Sequence, residues 1–278
     1  MYTLNCKGKL LIIDLPIVMG IINATQDSFF QGHSALGLDG IVALAGKMID
    51  EGAIILDIGG QSTRPGSERI TATREIDRVV PVIEAIQSKY PDTIISIDTY
   101  HSRVAEMAVK AGASMVNDIS AGEMDNEMIG MVAALRVPYV CMHMKGTPDT
   151  MQKDIHYEDV VKEVLDYFIF KIAACKDAGI TDIIVDPGFG FGKKIAHNFQ
   201  LLKHLDVFKL LEKPILAGLS RKSTIYKTLG VSAEEALNGT TVLNTIALLN
   251  GAAILRVHDI KEAKEAIKLI SSMNALQA

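Results

Sequence analysis

The chain has 278 residues, 49% of them hydrophobic, with 28 basic against 33 acidic side chains and a net charge of −5. That length and apolar share suit one globular domain with a sizeable core and exclude a disordered chain. Mixed charge, 5% aromatic residues and no tryptophan exclude an extended basic nucleic-acid surface and an aromatic single-strand platform.

Thr3–Ile13 reads as a hairpin, with Lys7-Gly8-Lys9 at the turn and Leu10–Ile13 as the second strand. The N-terminal segment lacks a basic region, a signal-type apolar core and a small-residue cleavage site, so no secretory leader is expected. Gly, Asn or charge breaks the longest apolar stretches well short of a membrane span. Cys6, Cys141 and Cys175 are far apart and form no C-x-x-C. They read as reduced thiols of a cytoplasmic protein, with Cys141 packed in a strand.

Eight short apolar runs follow, each ending in polar groups. They are Ile17–Asn23, Ile54–Asp57, Thr93–Asp98, Ser114–Asp118, Val137–His143, Asp182–Asp186, Pro214–Gly218 and Ala252–His258. Successive ends lie about 33 residues apart, the length of one strand plus one helix. Helical stripes fill the gaps: Ile41, Leu44, Ala45, Met48 and Ile49; Ile76, Val79, Val80, Ile83 and Ile86; Val104, Met107, Ala108 and Ala111. Ser232 with Glu235 is a capping-box signal for the helix carrying Leu243, Ile246 and Ala247. The stripes read as core packing. Alternating apolar strands and helices with polar strand ends predict a single-domain (β/α)₈ TIM barrel whose site lies at the C-terminal face, with the hairpin capping the bottom. Two long connections, Asn23–Asp39 and Gly59–Thr71, lie on that face, where long loops tend to be mobile and functional.

The strand-end residues suggest chemistry. Asp57, ahead of Gly59-Gly60, reads first as a carboxylate orienting a loop through backbone N–H groups, with a catalytic role as the alternative. Asp98, Asn117 and Asp186 enter one mouth. Together they suit a flat heterocycle with an N–C(NH₂)–N edge, because carboxylates accept and Asn both donates and accepts. The alternative is that each serves loop backbone. The basic set is Arg64, Lys222, Arg256 and His258. Arg256 and His258 are two apart on a strand, so both can face one anion, in the barrel region where phosphate commonly sits. Alternatively, Arg256 pairs with an acidic loop residue and His258 is a hydrogen-bonded bystander. Gly188-Phe189-Gly190-Phe191-Gly192-Lys193-Lys194 fits neither a P-loop nor G-x-G-x-x-G and reads as a flexible loop after Asp186. No H-E-x-x-H occurs and the seven His are scattered, so zinc is not expected. Asn23 and Asp27 could serve Mg²⁺, which takes oxygen ligands and substrate phosphates.

Several segments together resemble the dihydropteroate synthase family. They are Gly20-Ile21-Ile22-Asn23-Ala24-Thr25-Gln26-Asp27-Ser28-Phe29, Asp57-Ile58-Gly59-Gly60-Gln61-Ser62-Thr63-Arg64-Pro65-Gly66, Ser96-Ile97-Asp98-Thr99, Val116-Asn117-Asp118-Ile119, Met142-His143-Met144-Lys145-Gly146-Thr147-Pro148, Asp186-Pro187-Gly188-Phe189-Gly190-Phe191-Gly192-Lys193 and Gly218-Leu219-Ser220-Arg221-Lys222-Ser223. The likeness runs from about Val18 to Asp259. It implies a TIM-barrel enzyme that joins 6-hydroxymethyl-7,8-dihydropterin pyrophosphate to p-aminobenzoate, giving 7,8-dihydropteroate and pyrophosphate, and that is a sulfonamide target and usually a homodimer. It implies pterin contacts at Asp98, Asn117, Asp186 and Lys222, and pyrophosphate contacts at Arg256, His258 and Asn23, with Mg²⁺ near Asn23. It implies p-aminobenzoate contacts at Thr63, Phe189 and Ser223, and Asp27, Phe29 and Arg64 on the two long loops. The chain departs from the family pattern at Gln26, Phe30-Gln31 and Gln61, where Pro, Ser-Asp and Glu are usual. Two rival readings remain. One is a methyltetrahydrofolate-binding methyltransferase barrel, which needs neither the Arg-His pair nor the Ser-Thr-Arg-Pro loop. The other is a non-catalytic anion-binding barrel. No nucleic-acid or membrane partner is expected.

Overall fold

The computed structural model describes residues 1–24, 37–61, 69–152 and 155–275. A hairpin of β1 (Tyr2–Cys6) and β2 (Lys9–Ile13) comes first. Its turn residues Lys7 and Gly8 both have positive φ, 54° and 90°, which a two-residue hairpin turn matching the strand twist requires. Eight parallel strands then alternate with helices. The strands are β3 (Ile17–Asn23), β4 (Ile55–Gly59), β5 (Ile94–Asp98), β6 (Met115–Asp118), β7 (Tyr139–Met142), β8 (Ile183–Asp186), β9 (Leu216–Ala217) and β10 (Ile254–Val257). The helices are α1 (Leu38–Asp50), α2 (Ala72–Lys89), α3 (Ser102–Ala111), α4 (Met128–Leu135), α5 (Val160–Asp177), α6 (Ile195–Lys203), α7 (Ser223–Leu229), α8 (Leu237–Leu249) and α9 (Ile260–Ala275), with a 3₁₀ turn at Leu205–Leu211. Side-chain caps start two of them: Thr71 accepts from Arg74 N–H at α2, and Asp159 from Val161 and Lys162 N–H at α5.

The sheet order is β8-β7-β6-β5-β4-β3-β10-β9. A parallel bridge from Val185 to Ile215, with Val185 N–H donating to Pro214 O at 3.0 Å, brings β8 to the start of β9 and closes the ring. The barrel expected from the spacing is therefore the observed fold, and every expected strand is present.

Strand alternation divides the interior from the helical shell. Val18, Ile22, Leu56, Ile58, Ile95, Ile97, Val116, Cys141 and Val185 point outward into the main core with the helices. Met19, Ile55, Ile94, Met115, Val140, Ile184, Leu216 and Ile254 point inward and form one apolar layer with Leu4, Cys6, Leu11 and Ile13 of the hairpin. The hairpin thus plugs the N-terminal end of the barrel. Burying each of its large aliphatic side chains stabilises the fold by about 1.5–3 kcal/mol. Asn5 N–H donating to Asp182 Oδ2 at 2.8 Å and Lys7 Nζ donating to Val109 O at 2.6 Å tie it to the residue before β8 and to the last turn of α3.

One local reading changes. Ser232 and Glu235 exchange the two reciprocal hydrogen bonds of a capping box, at 3.0 and 3.4 Å. They do so in a turn ahead of the helix, and α8 begins at Leu237 with Ala236 as its cap. In the same helix Ile246 is 36% exposed, whereas the stripe places it in the core.

Candidate active site

Continuing the inward alternation one step up from the apolar layer gives Asp57, Ser96, Asn117, Asp186 and Arg256. The strands that bury Ile55, Ile94, Met115, Ile184 and Ile254 therefore place polar groups at the next inward position without any change of backbone geometry. One further step gives Asp98 and His258. Asp98 and Asp186 end their strands, His258 lies one residue beyond its own, and Asp57, Ser96, Asn117 and Arg256 sit one or two residues before the ends of theirs.

A charged chain crosses this layer. Arg256 Nε donates to Asp57 Oδ2 at 2.6 Å, and its terminal nitrogen donates to Asp98 Oδ2 at 2.6 Å. Asn117 Nδ2 donates to the same Asp57 oxygen at 2.9 Å. Asp57 is fully buried, and its other oxygen, Oδ1, has no hydrogen-bond partner among the described residues. Asp57 therefore does not take loop backbone N–H groups, as first read. It joins the arginine of β10 to the amide of β6 and leaves a buried acceptor spare. Arg256 likewise adopts its alternative reading, pairing with acids, but those acids are strand carboxylates of the site itself.

Burial pushes the Asp98 carboxyl up to about 7, against the pull of Arg256 and with the help of Asp57 and Asp118. Burial also raises Asp186, opposed mainly by Lys222. Lys222 is pushed down to about 8 by burial, with Asp186 opposing. Burial acts against the Arg256 charge too, but Asp57 and Asp98 outweigh it and hold the guanidinium above its usual range.

Lys222 enters from the loop after β9. Its Nζ donates to Phe189 O at 2.5 Å and sits 4.8 Å from the centroid of the Phe191 ring. Asp186 Oδ1 accepts from Gly188 N–H at 2.8 Å, which fixes the carboxylate. A Cβ on Gly218 would lie 3.7 Å from Lys222 Nζ and 3.9 Å from Asp186 Oδ2, so the glycine keeps the space beside both groups clear.

Phe189 does not sit where the resemblance implied. Its ring is fully buried in the main core, because positive φ at Gly188, Gly190 and Gly192 (69°, 87° and 64°) breaks the simple alternation of this loop. Phe189 offers the mouth only its carbonyl. Phe191 presents the ring, next to Lys222. The loop is also not the free segment that its glycines suggested. Gly190 N–H donates to Asn198 Oδ1 at 2.8 Å, Gln152 donates to Gly190 O at 3.1 Å, and the Tyr157 hydroxyl donates to Gly192 O at 3.0 Å.

Ser223 opens α7 and lines a cavity of about 630 Å³ with Lys193, Asn198 and Lys227. His258 stands at the rim. Its Nδ1 is 3.0 Å from Ser220 Oγ, which also accepts from His258 N–H at 3.2 Å. Asn23 ends β3 and is exposed. Among the described residues no group of three His, Cys, Asp or Glu could hold a metal. A single amide oxygen at a mouth suits Mg²⁺, which keeps waters and takes its other ligands from substrate phosphate. Asp27, Phe29, Thr63 and Arg64, and the departures at Gln26, Phe30 and Gln31, lie outside the described residues. Gln61 is described: it donates to the Tyr100 hydroxyl at 2.7 Å and accepts from Ile70 N–H at 3.2 Å. Sequence reading passed over three participants: the bridging role of Asp57, Phe191 and Ser220. The inward parity of Asp57 with Ile55 was an available signal for the first.

Comparison with known proteins agrees with this geometry. The family of pterin binding enzymes matches residues 19–258. The dihydropteroate synthase of Escherichia coli K12 is 42% identical over 271 residues, covering 97% of this chain and 95% of that protein. The Yersinia pestis dihydropteroate synthase, solved as a complex with a sulfonamide drug, superimposes with a TM-score of 0.93 at 38% identity, covering 99% of this chain and 100% of that one. The Xanthomonas albilineans dihydropteroate synthase in complex with 7,8-dihydropteroate gives 0.88 at 39% identity, covering 99% of each chain.

Proposed function

The chain belongs to the pterin-binding enzyme family, among the dihydropteroate synthases, and from that premise we propose how its barrel mouth divides the work. The reaction joins 6-hydroxymethyl-7,8-dihydropterin pyrophosphate to p-aminobenzoate and releases pyrophosphate. The observation that carries this reading is the convergence of Asp57, Asp98, Asn117, Asp186, Lys222 and Arg256 at the mouth of one barrel. A methyl-transferring barrel would share the pterin contacts but has no need of Arg256 with His258, and a passive anion binder has no need of the carboxylates.

Asp98, Asn117 and Asp186 hold the donor edge of the pterin, and Lys222 donates to an acceptor on it. The spare Asp57 Oδ1 lies in the same layer. The bond from the pterin methylene to oxygen breaks first, and its electron pair leaves with pyrophosphate. The carboxylates of Asp98 and Asp186 stabilise the positive charge that the pterin then carries, fixed in place before the charge forms. Arg256 and the rim imidazole of His258 take the anion. Asn23 would hold Mg²⁺, which when bound neutralises charge on the leaving group. Ser223 and the Phe191 ring, rather than that of Phe189, receive p-aminobenzoate, with Thr63 on the second long loop. The nitrogen lone pair attacks the cation, and the ammonium so formed sheds a proton to water or to the departing anion. Incubation with both substrates, coupled to pyrophosphate detection, tests the reading. No release above background would overturn it.

The protein works as a homodimer in this proposal. The support is a row of apolar side chains on α8: Val242, Ile246 and Leu249 are 50%, 36% and 52% exposed, one and two turns apart. Val242→Glu with Ile246→Glu should convert a dimer to a monomer in sedimentation velocity runs. A dimer that survives both changes would place the interface elsewhere. No helix among the described residues is long and apolar enough to cross a membrane. Three unpaired, buried thiols suit the cytoplasm as the working compartment.

A further inference from the structure

Lys193 lies outside every role assigned so far, yet it is one of the most enclosed charged side chains in the molecule, 3% exposed. Its Nζ is 2.8 Å from His143 Nδ1, 3.1 Å from His143 O, 2.9 Å from Gly188 O and 3.0 Å from Phe191 O. All three carbonyls can only accept. An amine has two protons for these three carbonyls and leaves one unserved, whereas an ammonium has one for each. His143 Nδ1 is the fourth acceptor in the tautomer that carries its proton on Nε2, and burial, followed by the nearby Lys193 charge, pushes the His143 pKa down to about 2 and keeps the ring neutral. Burial pulls Lys193 well below its usual range as well, with Asp186 acting to hold the charge and Lys222 acting with burial against it.

The loops after β7 and β8 meet here backbone to backbone. A Cβ on Gly188 would lie 2.0 Å from His143 O, and one on Gly192 would lie 2.4 Å from Lys145 O. Three carbonyl dipoles directed at one point repel each other unless a cation sits between them. We propose that Lys193 is that cation and a positioning residue for the reaction. By gathering His143 O, Gly188 O and Phe191 O it sets the loop whose Gly188 N–H aims Asp186, whose Phe189 O holds Lys222 and whose Phe191 ring faces the incoming amine. This rests on the roles proposed above for Asp186, Lys222 and Phe191.

The test begins with turnover by the unaltered chain, which establishes those roles independently. Lys193→Met then removes the ammonium and keeps an unbranched side chain. With folding checked by circular dichroism, the KM for p-aminobenzoate should rise, and the affinity for a pyrophosphate-free pterin analogue should fall, by about tenfold to a hundredfold, the scale of a misplaced catalytic group. Pyrophosphate affinity, set across the mouth by Arg256 and His258, should stay within about twofold. The cavity beside Lys193 gives small amines a route to the site. In Lys193→Ala, ethylammonium should therefore restore the p-aminobenzoate KM and ethanol should not. An unchanged KM and pterin affinity in Lys193→Met would overturn the proposal, as would equal loss of all three ligands. If neither Lys193 variant folds, His143→Leu removes one acceptor and leaves the carbonyls. It should still raise the p-aminobenzoate KM several-fold, and a KM equal to that of the unaltered chain would sink the proposal.

Discussion

Replacing Arg256 with alanine should abolish turnover and lower the folding free energy by about 3–5 kcal/mol, the range seen when one partner of a buried ion pair is removed. The guanidinium touches Asp57 and Asp98 at 2.6 Å each, and Asp57 has no exposure to water. Without it, two buried carboxylates face each other with no neighbouring cation on β10. Arg256 is the main influence holding the Asp98 pKa down, so its loss pushes that carboxyl further above about 7. Asp98 then carries a proton at neutral pH and accepts N–H groups poorly. Both ligands should suffer: pyrophosphate loses a cation and the pterin loses an acceptor. The same-face spacing of Arg256 and His258 on its own predicts loss of the anion alone. Calorimetry with pyrophosphate and with a pterin analogue, plus urea unfolding, separates the two outcomes. Full pterin affinity with a stability change below about 1 kcal/mol would show that the ion pairs do not organise the pterin pocket.

A second large effect concerns pH. The kcat/KM for the pterin substrate should follow a bell with an acid limb near about 7 and an alkaline limb near about 8. Asp98 is raised, so it gains a proton and loses acceptor capacity as pH falls through 7. Arg256, Asp57, Asp118 and Lys222 all act on it. Lys222 is depressed, so it loses its charge as pH rises through 8, with Asp186, Arg256 and Asp98 acting on it. Asp98→Asn should erase the acid limb and weaken pterin binding by about 1.5–3 kcal/mol, the worth of a hydrogen bond to a charged group. Lys222→Met should erase the alkaline limb. For stability the sign runs the other way to that of a paired surface carboxylate. Folded Asp98 keeps its proton up to about 7 while the unfolded chain loses it from its ordinary value of 3.8. This group therefore favours the fold in acid and progressively less as pH climbs through that window. A profile flat from about pH 6 to about pH 9 would rule out both assignments.

Much of this architecture is legible in the residues because a parallel strand has only two faces. Ile55 and Asp57, Met115 and Asn117, Ile184 and Asp186, and Ile254 and Arg256 share a face by counting in twos, and regular spacing places all of them at one end of a barrel. The partners of Asp57 are not legible. They come from β6 and β10, the latter 199 positions away, and no local pattern records which inward carboxylate meets which cation. Phe189 and Phe191 are also two apart, yet they part company because the glycines between and around them adopt positive φ. Once the backbone leaves the extended region, parity no longer predicts direction. Burial of Lys193 is hidden for a related reason: a lysine in a glycine-rich segment reads as solvated until the neighbouring loop is in place. Ile246 was assigned inward from a helical stripe that continues around α8, where an apolar surface and an apolar core leave the same periodic signature.

The hairpin below the barrel has a consequence for traffic. With Leu4, Cys6, Leu11 and Ile13 filling the lower end, the polar shaft above is closed below and, among the described residues, opens at the C-terminal face. Whatever lodges against Asp57, Asn117 and Asp186 must pass the rim formed by His258, Ser223 and Phe191 before anything settles on that rim. Departures run in reverse, so the expelled anion leaves through the entrance by which the second reactant arrives. A compulsory order of arrival, deep ligand first, then follows from the plumbing of the chain alone, as it would for a queue in a corridor closed at the far end.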